Sequence, residues 1–282
     1  GKNWFWKGAD CLAPEDRLCL VNLSDGGGDA IEVREFDAVT KTFVKDGFHL
    51  DRAKQNYDWV DRDTLLVAKP TSDADTTESG YPFVVRELKR GQTFAQAKEV
   101  FRGERKDTLV AVRVIRDADG NVVAKIAERR VGFFEAEFYL LDDGRKLKLQ
   151  LPQRATYRGF VDGQLVFSLQ EKFLSFEPGA LIALDLKKLR DFKLGELRSE
   201  ALGAPQLIFQ PGASQTIDAV QTAKDHVIVQ LLDNVKGAIE VYARTANGWQ
   251  GRRLTLPKDS QLIVRATQKS GSLMFLTSEG FL

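Results

Sequence analysis

The stretch Arg17-Leu-Cys-Leu-Val-Asn-Leu-Ser24 is a brief apolar run with turn residues before it, the pattern of a strand buried on both faces. It returns as Thr64-Leu-Leu-Val-Ala68, Val122-Val-Ala-Lys-Ile-Ala127, Gln164-Leu-Val-Phe-Ser-Leu169, His226-Val-Ile-Val-Gln-Leu231 and Ser272-Leu-Met-Phe-Leu-Thr277. The apolar starts are spaced by roughly 43 to 62 residues, the length of one four-stranded sheet with its loops. The repeat predicts an all-β chain, a β-propeller of four-stranded antiparallel blades, with about five and a half blades present. The expected blades are residues 1–51, 54–103, 107–152, 155–211, 214–257 and an incomplete 260–282, all within one domain.

Working outward, the first blade has strands at Asn3–Ala9, Leu18–Ser24, Ala30–Asp37 and Thr42–Leu50. The intervening Ser24-Asp-Gly-Gly-Gly-Asp29 is a hairpin loop, because alternation with period two follows it and a phosphate-cradling loop needs a helix there. In the second blade a long polar loop, Pro70 to Gly80, leads into a third strand beginning at Tyr81, and such loops concentrate binding residues. The third blade has Asp117-Ala-Asp-Gly120 as its tight turn and a third strand announced by Val131-Gly-Phe-Phe-Glu-Ala-Glu-Phe-Tyr-Leu140. Lys187 to Ala204 reads as a charged insertion with one or two helical turns.

Bulk properties narrow the function. Hydrophobic residues make up 43% and charged residues 29%, as in a soluble globular protein. No apolar run approaches the roughly 20 residues of a membrane-spanning helix. Lys plus Arg (41) against Asp plus Glu (40) leaves +1, so neither nucleic acid nor an anionic membrane is an expected partner. The only methionine is Met274, and Gly1 and Leu282 both read as cut from a longer polypeptide. Cys11 and Cys19 flank the turn Ala13-Pro-Glu-Asp-Arg17, and a hairpin centred on Glu15 would set them face to face. A lone pair is no disulfide framework, so two small buried thiols are expected, and the compartment stays open between cytoplasm and periplasm.

A catalytic centre is not expected. A nucleophile elbow needs Gly-x-Ser-x-Gly, whereas Ser79 stands in Glu78-Ser-Gly-Tyr81 and Ser214 in Gly212-Ala-Ser-Gln215. His49 and His226, the two histidines, lack metal-site spacing and read as structural, so neither metal nor cofactor is expected. Trp4, Trp6, Trp59 and Trp249 read as packing between blades, and Arg129-Arg130 and Lys187-Lys188 as solvated or paired with acids.

Eight stretches then follow one another in a recognisable order: Trp4-Phe-Trp-Lys-Gly-Ala9, Leu20-Val-Asn-Leu-Ser-Asp-Gly-Gly-Gly-Asp-Ala30, Val33-Arg-Glu-Phe-Asp37, Trp59-Val-Asp-Arg-Asp-Thr-Leu-Leu-Val-Ala68, Glu78-Ser-Gly-Tyr-Pro-Phe-Val-Val85, Phe133-Phe-Glu-Ala-Glu-Phe-Tyr-Leu140, Leu232-Asp-Asn-Val-Lys-Gly237 and Ser278-Glu-Gly-Phe-Leu282. Together they resemble the propeller of bacterial prolyl oligopeptidase-family serine peptidases. The resemblance implies a seven-bladed propeller covering a C-terminal α/β-hydrolase domain that carries the triad, and oligopeptides as substrates. This chain lacks the hydrolase and about one and a half blades, so it is expected to be inactive alone and to gate access to the nucleophile. Its bare blade faces are expected to favour self-association.

By position in the family, Tyr81, Phe133 and Phe134 are the expected cleft-facing residues, with packing between blades as the other reading for each. The Arg129-Arg130 pair beside them is a candidate contact for a peptide carboxylate or an interdomain acid. The alternative to the gating reading is a stand-alone protein-interaction propeller; a glycoside-cleaving propeller would need a carboxylate pair that no spacing singles out.

Overall fold

The computed structural model describes residues 3–142, 144–191, 205–257 and 260–280. They form a succession of antiparallel sheets, each a meander of consecutive strands. The first has β1 (Trp4–Cys11), β2 (Leu18–Asp25), β3 (Ile31–Asp37), β4 (Thr42–Phe43) and β5 (His49–Ala53). The second has β6 (Asn56–Asp61), β7 (Thr64–Ala68), β8 (Val84–Lys89) and β9 (Lys98–Arg102). The third has β10 (Leu109–Arg116), β11 (Val122–Arg130), β12 (Ala136–Asp142) and β13 (Arg145–Lys148). The fourth has β14 (Ala155–Val161), β15 (Gln164–Leu169), β16 (Leu181–Asp185) and β17 (Gln206–Phe209), with the helix α1 (Leu186–Asp191) after β16. The fifth has β18 (Gln215–Thr222), β19 (His226–Asp233), β20 (Lys236–Thr245) and β21 (Gly248–Arg253), and the sixth has β22 (Ser260–Thr267) and β23 (Met274–Gly280). These are the blades of a β-propeller, four-stranded from the second to the fifth; in the first, β5 pairs beside β4 on β3, and the last has two strands described. Contacts gather the chain into two compact units, Gly1–Ile115 with Val122–Leu149, and Arg116–Asn121 with Gln150–Leu282.

The short apolar runs are the second strand of each sheet, and alternation sends their side chains to two cores at once. In β7, Leu65 and Val67 join Leu20, Val33, Leu50 and Trp59 of the first-to-second-sheet core. Leu66 and Ala68 point the other way, to Val84, Val110 and Val112. In β19, Val227, Val229 and Leu231 pack with Val166 and Ala183, and Ile228 packs with Leu262 and Val264. Fully burying each such side chain is worth about 1.5–3 kcal/mol, which is why Leu65–Ala68 of β7 and Val227–Leu231 of β19 carry no charge.

Side chains also tie sheet to sheet. Asn56 Nδ2 donates to the Val110 carbonyl (2.9 Å) and its Oδ1 accepts from the Val112 amide (3.0 Å), while Asp58 accepts from the Val114 amide (2.7 Å). In the second unit, Gln221 Nε2 donates to the Val264 carbonyl and Gln230 Oε1 accepts from the Val264 amide.

Several expectations are corrected. The strand expected at Thr42–Leu50 is broken into β4 and β5, both paired with β3. The break admits the carboxylate of Glu35, 2% exposed, which accepts from the Phe48 amide (2.7 Å) and from Arg90. A Cβ on Gly47 would lie 2.9 Å from that carboxylate, so only glycine fits the approach. Cys11 and Cys19 are register partners on β1 and β2 and form a disulfide rather than two free thiols. Ser272–Thr277 is not buried on both faces: Met274 and Leu276 pack on the fifth sheet, while Leu273 and Phe275 are 61% and 65% exposed. One neighbouring sheet among the described residues covers one face only. Trp4 and Trp6 lie exposed on β1 instead of packing between blades, whereas Trp59 is buried as expected. Of the Lys187–Ala204 insertion, α1 covers the start, and residues 192–204 lie outside the described residues.

Candidate functional site

Meandering strands put every connection between a second and a third strand at the same end of its sheet. In the first unit this end gathers the loops 26–30, 69–83 and 131–135. Bonds tie the second of these loops to the β9–β10 connection, and that connection to the end of β11: the Glu78 amide donates to the Arg105 carbonyl (3.0 Å), Ser79 Oγ to the Thr108 carbonyl (2.9 Å), and the Thr108 amide to the Arg130 carbonyl (2.8 Å).

Tyr81 stands in this end, before β8 and not within it. Gly80 takes φ +80°, which turns the chain so that the Tyr81 amide reaches Thr77 Oγ1 (3.1 Å) and the Thr77 amide reaches the Tyr81 carbonyl (2.8 Å). Its hydroxyl donates to Asp29 Oδ2 (3.0 Å) in the glycine-rich loop, and Lys54 Nζ lies 4.1 Å from the ring centroid. The bond to Asp29, then burial, raises the phenol's pKa, so it stays a donor. Tyr81 is a fastener between two loops with one ring face against a cation.

Phe133 and Phe134 differ from the expectation more sharply. They lie on the β11–β12 loop, not on a strand, so the two rings need not face opposite sides of a sheet. They are 81% and 63% exposed and meet edge to face, with centroids 4.7 Å apart. The loop is held by the Val131 amide donating to the Glu135 carbonyl (3.0 Å) and by the Phe134 amide donating to Glu135 Oε2 (3.2 Å). No hydrogen bond or ring contact among the described residues joins Tyr81 to either phenylalanine.

Beneath the loop lies a dense ion network. Arg129 bonds both oxygens of Asp107, at 2.7 and 2.9 Å, and approaches Glu104 (2.8 Å) and Glu137 (3.5 Å). Hydrogen bonding to Asp107 drives the guanidinium pKa up. Burial would raise Glu137, but bonds from Lys148 and Tyr139 outweigh it and hold the carboxyl below its ordinary value. Arg130 pairs with Glu128 (2.9 Å). Arg129 and Arg130 are thus paired with acids of the fold, the first of the two readings given to them. Asp107, Glu104 and Asp29 were not singled out from the sequence, since a lone acid in a turn carries no spacing signal.

His49 pairs with Glu32 (3.2 Å) and His226 with Asp225, and Ser79 bonds Thr77 and Thr108, so the described partners of these groups do not assemble a nucleophile with a base. Among the described residues no three metal-ligating side chains cluster. Two exposed aromatic rings on a braced loop can instead offer area to a chain passing over them.

Residues 2–282 match the family described as the prolyl oligopeptidase N-terminal β-propeller domain. An uncharacterized peptidase of Sinorhizobium fredii is 36% identical over 291 residues, covering all of this chain and 39% of its own length. An uncharacterized peptidase of Rickettsia prowazekii is 25% identical over 267 residues, covering 88% of this chain and 36% of its own. The chain thus spans about two fifths of the curated relatives it matches. Among solved structures, a post-proline cleaving enzyme from Rickettsia typhi superposes with a TM-score of 0.85 at 21% identity, over 98% of this chain and 42% of that one. Oligopeptidase B from Trypanosoma brucei does so at 0.69 and 14% identity, over 98% of this chain and 37% of that one. From its blades to its full-length sequence match, the chain belongs to the N-terminal β-propeller domain family of the prolyl oligopeptidases.

Proposed function

We propose that this chain is the noncatalytic, substrate-gating propeller of a prolyl oligopeptidase-like serine endopeptidase that cleaves short Pro-containing peptides. Its partner is a C-terminal α/β-hydrolase domain of the same polypeptide, which supplies the triad, and the propeller selects by size which oligopeptides reach it. The observation that supports this most is the exposed Phe133-Phe134 pair on a loop braced by Glu135 above the Arg129–Asp107 pair. Rigid aromatics give a peptide contact area at low entropic cost, and Tyr81 holds the neighbouring loop in place.

The test is kinetic. In the full-length protein, replacing both phenylalanines by alanine is expected to raise KM several-fold for a Pro-containing oligopeptide and to leave a short Pro-linked chromogenic substrate unaffected. The isolated chain is expected to be inert to both. Turnover by the isolated chain that a serine-directed inhibitor abolishes would overturn the reading.

A further inference from the structure

Arg158 lies on β14, an edge strand of the fourth sheet, where the pairing with β15 shifts register between Tyr157 and Gly159. A bulge re-aims its side chain, and here the guanidinium is turned so that Nε donates to Ser168 Oγ (2.8 Å). The fifth sheet has a bulge at the corresponding place in β18, and there the side chain is an acid, Asp218, bonded by Gln230. Arg158 has no such complement. No carboxylate among the described residues pairs with it, and its two terminal nitrogens, which are not buried, make no hydrogen bond to the described residues. Burial lowers its pKa.

Its surroundings repeat the imbalance. Gly159, next in sequence, packs so closely on Thr222 that a Cβ there would lie 2.6 Å from the Thr222 methyl. Thr222 in turn accepts from Lys269 Nζ at its carbonyl (3.0 Å) and at Oγ1 (2.7 Å). Lys269 is likewise desolvated and has no acid partner among the described residues. Arg158, one residue from the Gly159–Thr222 contact, and Lys269, bonded to Thr222, are thus two cations partly withdrawn from water, neither paired with an acid among the described residues. Burial of an uncompensated charge is unfavourable, so a fold that keeps one gains when an anion arrives.

The shape of the free donors identifies the anion. With Nε engaged, the two terminal nitrogens form a planar fork that matches the two oxygens of a carboxylate. We propose that Arg158 is a carboxylate-recognition residue, and that it takes the C-terminal carboxylate of an oligopeptide substrate. The identity of the ligand rests on the peptidase reading above; the vacancy of the fork does not.

The experiment measures binding to the full-length protein by fluorescence anisotropy. Two labelled peptides of one Pro-free sequence serve as probes, one ending in a free carboxylate and the other in an amide. The wild type is expected to bind the acid about tenfold more tightly than the amide, the size of one charge-assisted bidentate contact. Arg158→Gln is expected to bind both as the wild type binds the amide, and Arg158→Lys to keep part of the preference, with unfolding midpoints unchanged. Equal affinities in the wild type, or no binding of either peptide, would overturn the proposal. So would a uniform loss for both peptides in Arg158→Gln, which would mean that an acid of the polypeptide itself occupies the fork. Absence of proline-directed cleavage would count against the peptidase reading and leave this comparison standing. Cleavage with no acid-over-amide difference would count only against Arg158.

Discussion

Arg129 in the third sheet and Arg158 in the fourth are both arginines partly withdrawn from solvent, and the fold treats them in opposite ways. Arg129 meets Asp107 with two bonds and has Glu104 and Glu137 beside it. Arg158 meets one serine hydroxyl. The difference teaches where charge has been used to build and where it has been left over. A carboxylate as enclosed as Asp107, whose side chain is fully buried, requires its cation, so Arg129 is part of the frame of its unit. A guanidinium with a free fork adds nothing comparable to the frame, and its value lies in what it can receive.

The largest expected effect breaks the first half of that comparison. Arg129→Ala leaves the buried Asp107 unpaired and is expected to lower the stability of the first unit by about 3 kcal/mol, measured by urea unfolding followed by tryptophan fluorescence. A loss below about 1 kcal/mol, the range of an exposed pair, would show that the network is superficial.

A smaller effect comes from protonation. Glu137 and Glu104 are both held below the ordinary glutamate value, Glu137 by Lys148 and Tyr139 against its burial, Glu104 by Lys106 and Arg129. Groups with depressed folded pKa values stabilise above their unfolded value, about 4.3, and that contribution is lost as pH falls through the folded values. The thermal midpoint is therefore expected to fall as pH drops below about 4.3, and to fall less in Arg129→Ala, where part of the coupling is already gone. Parallel pH profiles for the two proteins would contradict the role given to Arg129.

The smallest effect sharpens the second half. Arg158→Met keeps the apolar stem and removes the uncompensated charge, so it is expected to change stability by less than about 1 kcal/mol, with gain the favoured sign. A loss as large as that of Arg129→Ala would reveal a partner that the geometry does not contain.

The sheets were legible in the sequence because burial on both faces leaves little choice of residue: Leu65, Leu66, Val67 and Ala68 each need an apolar core, and no charge interrupts them. The failures fall where one residue decides the geometry. Val131-Gly-Phe-Phe-Glu135 is apolar enough to pass for a strand, yet the Glu135 carboxylate and carbonyl gather the preceding amides into a loop. Thr42–Leu50 alternates acceptably, and the buried Glu35 that splits it stands on another strand. The Cys11–Cys19 bond followed from a register that the sequence placed correctly, but whether two facing thiols join is not written in their spacing. Of the candidate site, Tyr81, Phe133 and Phe134 stood out as aromatic types beside turn residues, while their loop setting, the ion network and the open fork of Arg158 depend on pairing that one sequence does not display.

The carboxamide of Asn56 and the carboxylate of Asp58 occupy, in alternate steps, the backbone groups that β10 turns away from its own sheet. A strand margin filled in this way offers no template to an extended segment sliding past it, whether from a misfolded neighbour or from a peptide in transit. Truncating Asn56 would therefore expose an adhesive seam, and the harm would show as aggregation on storage well before it showed as a loosened core.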